Sequence, residues 1–381
     1  MSAVVAGSAT RPTTAVAGAP LRARLLYTHF PHMSAHGGMR QLAGALDPAV
    51  VSARLRRVTD GDDDFPLRHP AVRARLRGLV QRRGMAWYKL SDLAAELREL
   101  PAALLGDTDV VHFLDGEHSA QLLPAALRLA RRARLGRARR VRAVATFHQP
   151  PEMLDGLLDR AAVADLDAVT LVAPTQAAWF RGLLPDDRVE VLLHGVDAAF
   201  FSPAPGARAA AAAGRPPRCI TVGHWLRDWA LARRVAERLP DVAFDVVTNR
   251  PTGLEALPHV AHHRNVSDEA LRDLYRRADL LFLPLTGSTA NNALLEGMAC
   301  GLPVVASDLA AVRAYAGEGV GALVRGDDAD ALAGAIAARL SDPATRAREG
   351  AAARRRAESL AWPVSAPAYA RLYRRLLAEA P

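Results

Sequence analysis

Short apolar runs alternate along this chain with stretches whose apolar residues recur at helical spacing, the pattern of a parallel sheet covered by helices on both faces. In the first half the runs predict strands at 24–28, 50–58, 109–113, 141–147, 168–172 and 189–193. The alternation stops over 201–218, FSPAPGARAAAAAGRPPR, which has no strand signal and carries prolines at both ends; it reads as an interdomain linker. Strands resume at 219–222, 243–247, 259–264, 279–283, 304–306 and 321–324. The chain is therefore expected to be α/β, with two nucleotide-fold halves at 21–200 and 219–362. A last helix around 368–378 follows breaks at Pro363 and Pro367, and 363–381 is expected to pack back on the first half.

The densest pattern lies at 278–308, ADLLFLPLTGSTANNALLEGMACGLPVVASD. A strand-length run from Leu280 to Leu283 is stopped by Pro284 and followed by a polar loop, 286–289. From about Asn291 to Cys300, Leu294, Leu295, Met298 and Ala299 repeat at helical spacing. Thr289 and Asn291 are candidate N-caps, and Gly301 with Pro303 makes a stop. Strand, polar loop, helix N-terminus and strand is how doubly wound sheets hold an anionic ligand, because free backbone N–H groups and the helix dipole face the loop. Glu296, just over a turn into the helix, can turn back and accept two hydroxyls from a sugar or ribose.

Composition narrows the classes. With 381 residues and 50% hydrophobic content the chain can bury the cores of two domains, and it has no apolar run long enough to span a bilayer. The first twenty residues lack a charged start and a solid apolar block, so 1–20 reads as a disordered extension rather than a secretory signal. Cys219 and Cys300 are the only cysteines, which excludes a disulfide framework or a cysteine metal cluster and fits a reducing cytoplasm. A net charge of +9 invites a polyanion, yet Lys89 is the sole lysine and the arginines lie among alanines. Arginines cluster at 68–83 and 128–142, as a solvated face or a weak contact with an anionic membrane surface. No recognition motif accompanies them, so no nucleic acid is expected.

Loops after strands carry the candidate chemistry. In 27–41, Gly37 and Gly38 open a helix and let the backbone approach a ligand, while His29, His32 and His36 lack the partner spacing of a metal site and read as substrate contacts. In 110–119, Asp115, Glu117 and His118 follow a strand; the acids can bind acceptor hydroxyls, act as a base or cap the next helix. His148 ends a buried strand facing the crevice, placed either to touch a ligand or to be satisfied by the backbone. In HGVDAAFFSP, 194–203, Gly195 is expected to hold an unusual backbone angle and Phe200 and Phe201 to anchor the hinge.

With these residues in view, the chain resembles the retaining family-4 glycosyltransferases of the GT-B fold. The resemblance rests on HGVDAAFFSP at 194–203, TVGHW at 221–225, VSDEALRDLYRRADLLFLPL at 266–285, LLEGMACGLPVVAS at 294–307 and GALVRGDDADALAGAI at 321–336, and covers roughly 146–340. It implies two Rossmann-like domains with parallel sheets facing across a cleft, and a nucleoside-diphosphate sugar on the second domain. Neither a metal nor any cofactor beyond that donor is implied. Donor contacts are then expected from Gly223, Arg227, Ser288, Thr289, Asn291, Asn292 and Glu296, acceptor contacts from His36, Gly37, Gly38, Asp115 and Glu117, and catalytic roles for His148 and Glu296.

The departures fall on the site. The family pairs two glutamates with seven residues between them; Glu296 matches the second, and Ser288 stands at the first. The usual basic pair is replaced by His224 and Trp229, with Arg227 between them and Arg233 nearby. TGSTANN takes the place of a glycine-rich turn. The implied function is a cytoplasmic retaining glycosyltransferase acting on a natural product or cell-envelope glycan precursor. The alternatives are a catalytically inactive protein that binds a nucleotide sugar or partner, and a membrane-peripheral enzyme with a lipid acceptor.

Overall fold

The computed structural model describes residues 19–30, 34–81, 85–204 and 215–379. Most of the expected 1–20 extension, His32 and the middle of the 201–218 linker lie outside them.

Apolar runs of four to nine residues become strands of two parallel sheets. The first sheet holds β1 Leu21–His29, β2 Val51–Thr59, β3 Val110–Phe113, β4 Arg142–Phe147, β5 Ala168–Leu171 and β6 Val189–Val191, in the order β2-β1-β3-β4-β5-β6. The second holds β7 Arg218–Val222, β8 Ala243–Val247, β9 Val260–His263, β10 Leu280–Leu283, β11 Val304–Ser307 and β12 Gly321–Val324, in the order β12-β11-β10-β7-β8-β9. Every residue of β3, β4, β5, β10 and β11 is buried, as helices on both faces require, whereas the edge strand β2 alternates with exposed positions. Strand order reverses between β1 and β3 and between β7 and β10, so the loops leaving these four strands border the two crevices where ligands bind in such sheets.

Two expectations change. Gly195 is not among the residues with positive φ; its place is fixed by space, since a Cβ there would lie 2.7 Å from Cε3 and 2.8 Å from Cε2 of Trp362. The last helix runs from Trp362 to Ala378, straight through both prolines read as breaks. Pro363 falls in the first turn, where no amide donor is needed, and Pro367 forfeits one backbone bond that packing outweighs. Tyr369, Leu372, Tyr373 and Leu376 from this helix are buried in one cluster with Leu25 and Val110 of the first sheet and with Met39 and Leu42 from the segment between β1 and β2. His112 on β3 completes the seam, its Nδ1 lying 2.6 Å from the Tyr373 hydroxyl and its Nε2 2.8 Å from Thr146 Oγ1.

The chain crosses between the sheets twice, side by side: Val196 bridges Ala361. Beyond the first crossing Phe201 is fully buried in the second core, edge-to-face with Tyr275. Arg354 Nη1 donates to the carbonyls of Ala198, Phe201 and Ala299, fixing the crossing to the second domain.

Candidate active site

The second-domain wall is built where β7 and β10 end. After β7, Gly223 takes φ +88°, and the chain loops until Arg227 folds back beneath it. Arg227 Nε and Nη2 donate to the Val222 carbonyl at 3.0 and 2.6 Å, Nη1 to the Trp225 carbonyl at 3.1 Å, and Nη2 to Asn291 Oδ1 at 3.3 Å. A Cβ at Gly223 would approach Nη2 to 3.2 Å, so the glycine supplies both the left-handed turn and the room for the guanidinium. Among the described residues no carboxylate pairs with Arg227; burial pushes its pKa down to about 10, which still leaves it cationic at neutral pH.

Asn291 caps helix Asn292–Ala299, its Oδ1 accepting from Leu294 N at 3.2 Å, as its position before the apolar repeat predicts. Gly297 lets this helix press on β10, because a Cβ there would come within 2.6 Å of Leu281 Cδ2. One turn in, Glu296 is 5% exposed and accepts the Tyr275 hydroxyl at 3.0 Å. Burial raises its carboxyl pKa to about 8 against the opposing pull of Tyr275. Ser288 Oγ donates to the Thr289 carbonyl, and Thr289 Oγ1 reaches across to the His148 carbonyl of the first domain.

The first-domain wall is held by carboxylates. Glu117, 2% exposed, accepts the backbone N–H groups of His148 and Gln149, the latter at 2.7 Å, and so fixes the turn leaving β4. His148 Nε2 donates to the Leu114 carbonyl at 2.7 Å. Asp115 accepts Thr28 N at 2.7 Å, tying the ends of β1 and β3; burial raises its pKa to about 6, with His148 pulling the other way.

Between the walls lies a cleft of about 360 Å³. Gly37 and His148 line it from the first domain, and Gly223, Arg227, Ser288, Thr289, Asn291, Asn292 and Glu296 from the second. Gly37 lies directly across from the helix, where a Cβ would sit 3.7 Å from both Asn292 Nδ2 and Glu296 Oε1. The walls are clasped by Thr289 on His148, by Trp225 Nε1 donating to Gln149 Oε1 at 3.2 Å, and by Ala35 N donating to Asp268 Oδ2 at 2.6 Å.

Four expected acceptor residues lie outside the lining. His36 bonds Asp197 Oδ2 through Nδ1 at 2.7 Å and stacks on Phe200 at 3.6 Å, which makes it a fastening at the crossing. Gly38, at φ +76°, shapes the turn before helix Gln41–Ala45, while Asp115 and Glu117 brace the loops behind the cleft. Arg233 is spent on a surface pair with Glu237 at 2.8 Å and does not join Arg227. Trp225 and Tyr275 were missed by sequence reasoning. Trp225 directly follows His224 in a strand-exit loop, a usable signal, but Tyr275 sits mid-helix at an ordinary core spacing and had none.

The comparisons agree with this architecture. Residues 221–342 match the family model described as Glycosyl transferases group 1. A D-inositol 3-phosphate glycosyltransferase of Kribbella flavida is 31% identical over 215 residues, 49% of this chain and 51% of that protein. A phosphatidyl-myo-inositol mannosyltransferase of Mycolicibacterium smegmatis is 32% identical over 231 residues, 57% of each chain. The chain spans about half the length of the curated relatives it matches. Among solved structures, sucrose-phosphate synthase from Thermosynechococcus elongatus superimposes with a TM-score of 0.69 at 20% identity, over 94% of this chain and 99% of that one. The catalytic domain of starch synthase IV from Arabidopsis thaliana, bound to ADP and acarbose, gives 0.68 at 14% identity, over 95% and 100%. The chain has the two-domain GT-B fold, and its second domain matches the group 1 glycosyltransferase model over residues 221–342, in line with the family its motifs resemble.

Proposed function

We propose that this protein is a cytoplasmic retaining glycosyltransferase that moves a sugar from a nucleoside-diphosphate sugar to a hydroxyl of a natural product or cell-envelope glycan precursor. Arg227 carries the reading: a half-buried guanidinium lining the cleft, hydrogen-bonded among the described residues only to neutral oxygens. A cation partly withdrawn from water without a counter-ion carries a desolvation cost, which an anion binding in the cleft would offset. A diphosphate meets that need, helped by the free amides at the start of helix Asn292–Ala299. Glu296 is then placed for the ribose, and Ser288, Thr289, Asn292 and His148 for the sugar. His148 spends Nε2 on the Leu114 carbonyl, so in its neutral form Nδ1 is an acceptor for a sugar hydroxyl.

In transfer, the bond from the anomeric carbon to the phosphate oxygen breaks and its electron pair leaves with the diphosphate. The acceptor oxygen bonds the same face of that carbon, and its proton passes to the departing diphosphate. The protein orients the reactants and balances the growing phosphate charge, chiefly through Arg227. On this reading no metal or further cofactor takes part. The curated relatives are named for inositol-based acceptors, in keeping with a hydroxylated acceptor here.

A thermal-shift screen of nucleoside diphosphates and their sugars, followed by assay of donor hydrolysis, tests the reading. Stabilisation by one base with slow release of its sugar supports it. Stabilisation without turnover of any donor makes the protein a binder, and no stabilisation by any nucleotide removes the reading.

One observation favours a peripheral-membrane variant. Helix Pro70–Gln81 buries none of its residues and exposes Val72 and Leu79 beside Arg75 and Arg77. No helix among the described residues is long and apolar enough to cross a membrane. Sedimentation with anionic vesicles at low salt tests lipid binding; a supernatant protein eliminates it.

A further inference from the structure

A second chamber of about 370 Å³ opens beside the donor cleft and shares Phe30, Gln149, His224 and Trp225 with it. Resting on the glycosyltransferase reading, we infer that this chamber is the acceptor subsite and that it takes an uncharged ring carrying several hydroxyls, a sugar or cyclic polyol.

Its walls are aromatic. Trp87 and Trp225 meet edge to face at 6.4 Å, one from each domain, and the His118 ring lies 5.1 Å from both Trp87 and Phe30. Trp225 is 48% exposed, an indole face left in water at the junction of the two chambers. Such faces stack on the C–H face of a saturated ring or on another aromatic. The polar lining decides between these. Lys89 is paired with Asp60, so the two together add no net charge for an anionic acceptor to use. His118 is 8% exposed and its Nδ1 is buried without a hydrogen-bond partner, 3.9 Å from Asp60 Oδ1 and too far to bond it. Burial holds this imidazole neutral, with a pKa pushed down to about 4. A flat aromatic aglycone covers the Asp60–Lys89 pair without replacing its water contacts and leaves the His118 nitrogen unpartnered, whereas a ring bearing hydroxyls offers donors and acceptors to these groups.

The residues come from separate loops: Asp60 follows β2, Trp87 and Lys89 precede helix Leu90–Leu105, and His118 follows β3. Trp225 arrives from the second domain, so closure completes the chamber. The shared wall means that an acceptor seated in it presents a hydroxyl to a sugar held in the donor cleft.

Calorimetric titration of the full chain with methyl glucoside, inositol, inositol phosphate and phenol tests the inference, in the wild type, Trp87→Ala and Trp87→Phe. Methyl glucoside or inositol should bind, roughly tenfold more weakly in Trp87→Ala and with partial recovery in Trp87→Phe. A nucleoside-diphosphate melting shift in each variant reports that the fold and the donor cleft are intact. Unchanged affinity in Trp87→Ala overturns the inference, as does preference for inositol phosphate over inositol, or response to phenol alone. Loss of the nucleotide shift in the wild type instead sinks the glycosyltransferase reading, whereas a retained shift with no sugar or polyol response sinks only the chamber.

Discussion

Tyr275 donates its phenolic hydroxyl to Glu296 Oε2 at 3.0 Å, joining two helices of the second domain at the edge of the cleft between the domains. The contact fixes one carboxyl oxygen while Glu296 still lines the cleft. It also helps hold down a carboxyl that burial lifts to about 8.

A pH dependence follows. Between the ordinary pKa of 4.5 and about 8, the native state holds a proton on Glu296 that the unfolded chain releases. Stability contributed by this group therefore falls as pH rises through that window, and the loss is complete above about 8. Glu296→Gln should raise the unfolding free energy relative to wild type above pH 8, by on the order of 1 kcal/mol or more, and leave it little changed at the acid end of the window. Equal shifts at both ends, measured by calorimetry, contradict the assignment. Tyr275→Phe should act the other way, pushing the carboxyl still higher and weakening nucleotide binding a few-fold.

Arg227 gives the sharpest functional test. Arg227→Ala should impair transfer by roughly tenfold or more, on the order of 1.4 kcal/mol, and weaken nucleoside-diphosphate binding alongside it. Glu296→Ala should impair transfer to a similar degree. Near-normal turnover in both variants would falsify the donor-site assignment.

Gly195→Ala should destabilise the fold by about 1–3 kcal/mol, because its Cβ must enter the space of the buried Trp362 ring. The backbone there is not left-handed, so the cost is steric alone. Trp362→Leu in the same chain should recover part of the loss. A double-mutant cycle from denaturant melts checks the coupling, and strict additivity counts against it.

The clasp across the cleft predicts a change of shape. Thr289→Val removes the bond to the His148 carbonyl, and Trp225→Phe removes the indole donor to Gln149. Each bond is worth about 1 kcal/mol, so the double variant should favour a more open form, with larger dimensions in solution scattering and a partial return to wild-type values on adding a bound nucleotide. Identical scattering profiles in all states would show that the clasp does not govern closure.

The second-domain wall of the cleft was legible in the sequence because its structure is local. Gly223, the loop at 286–289, the Asn291 cap and Glu296 are set by strand ends, a cap and a helical turn, all within one short stretch each. The first-domain wall was read less well. Glu117 and Asp115 sit after β3 as expected, but their partners are backbone amides of His148, Gln149 and Thr28 on other strands, which no spacing within 110–119 reveals. His36 likewise found Asp197 and Phe200, far along the chain.

Alternation of apolar runs with helical periodicity determined by itself the α/β class, the strands and their division into two sheets, because burial on both faces of a parallel sheet dictates uninterrupted apolar segments. Tertiary structure alone decided that Gly195 yields to a tryptophan ring, that the last helix runs through two prolines, and that Trp87 faces Trp225 across the domains. Local sequence encodes propensity and period; which side chains share a space depends on contacts between residues distant in the chain, settled only when the two sheets close on one another.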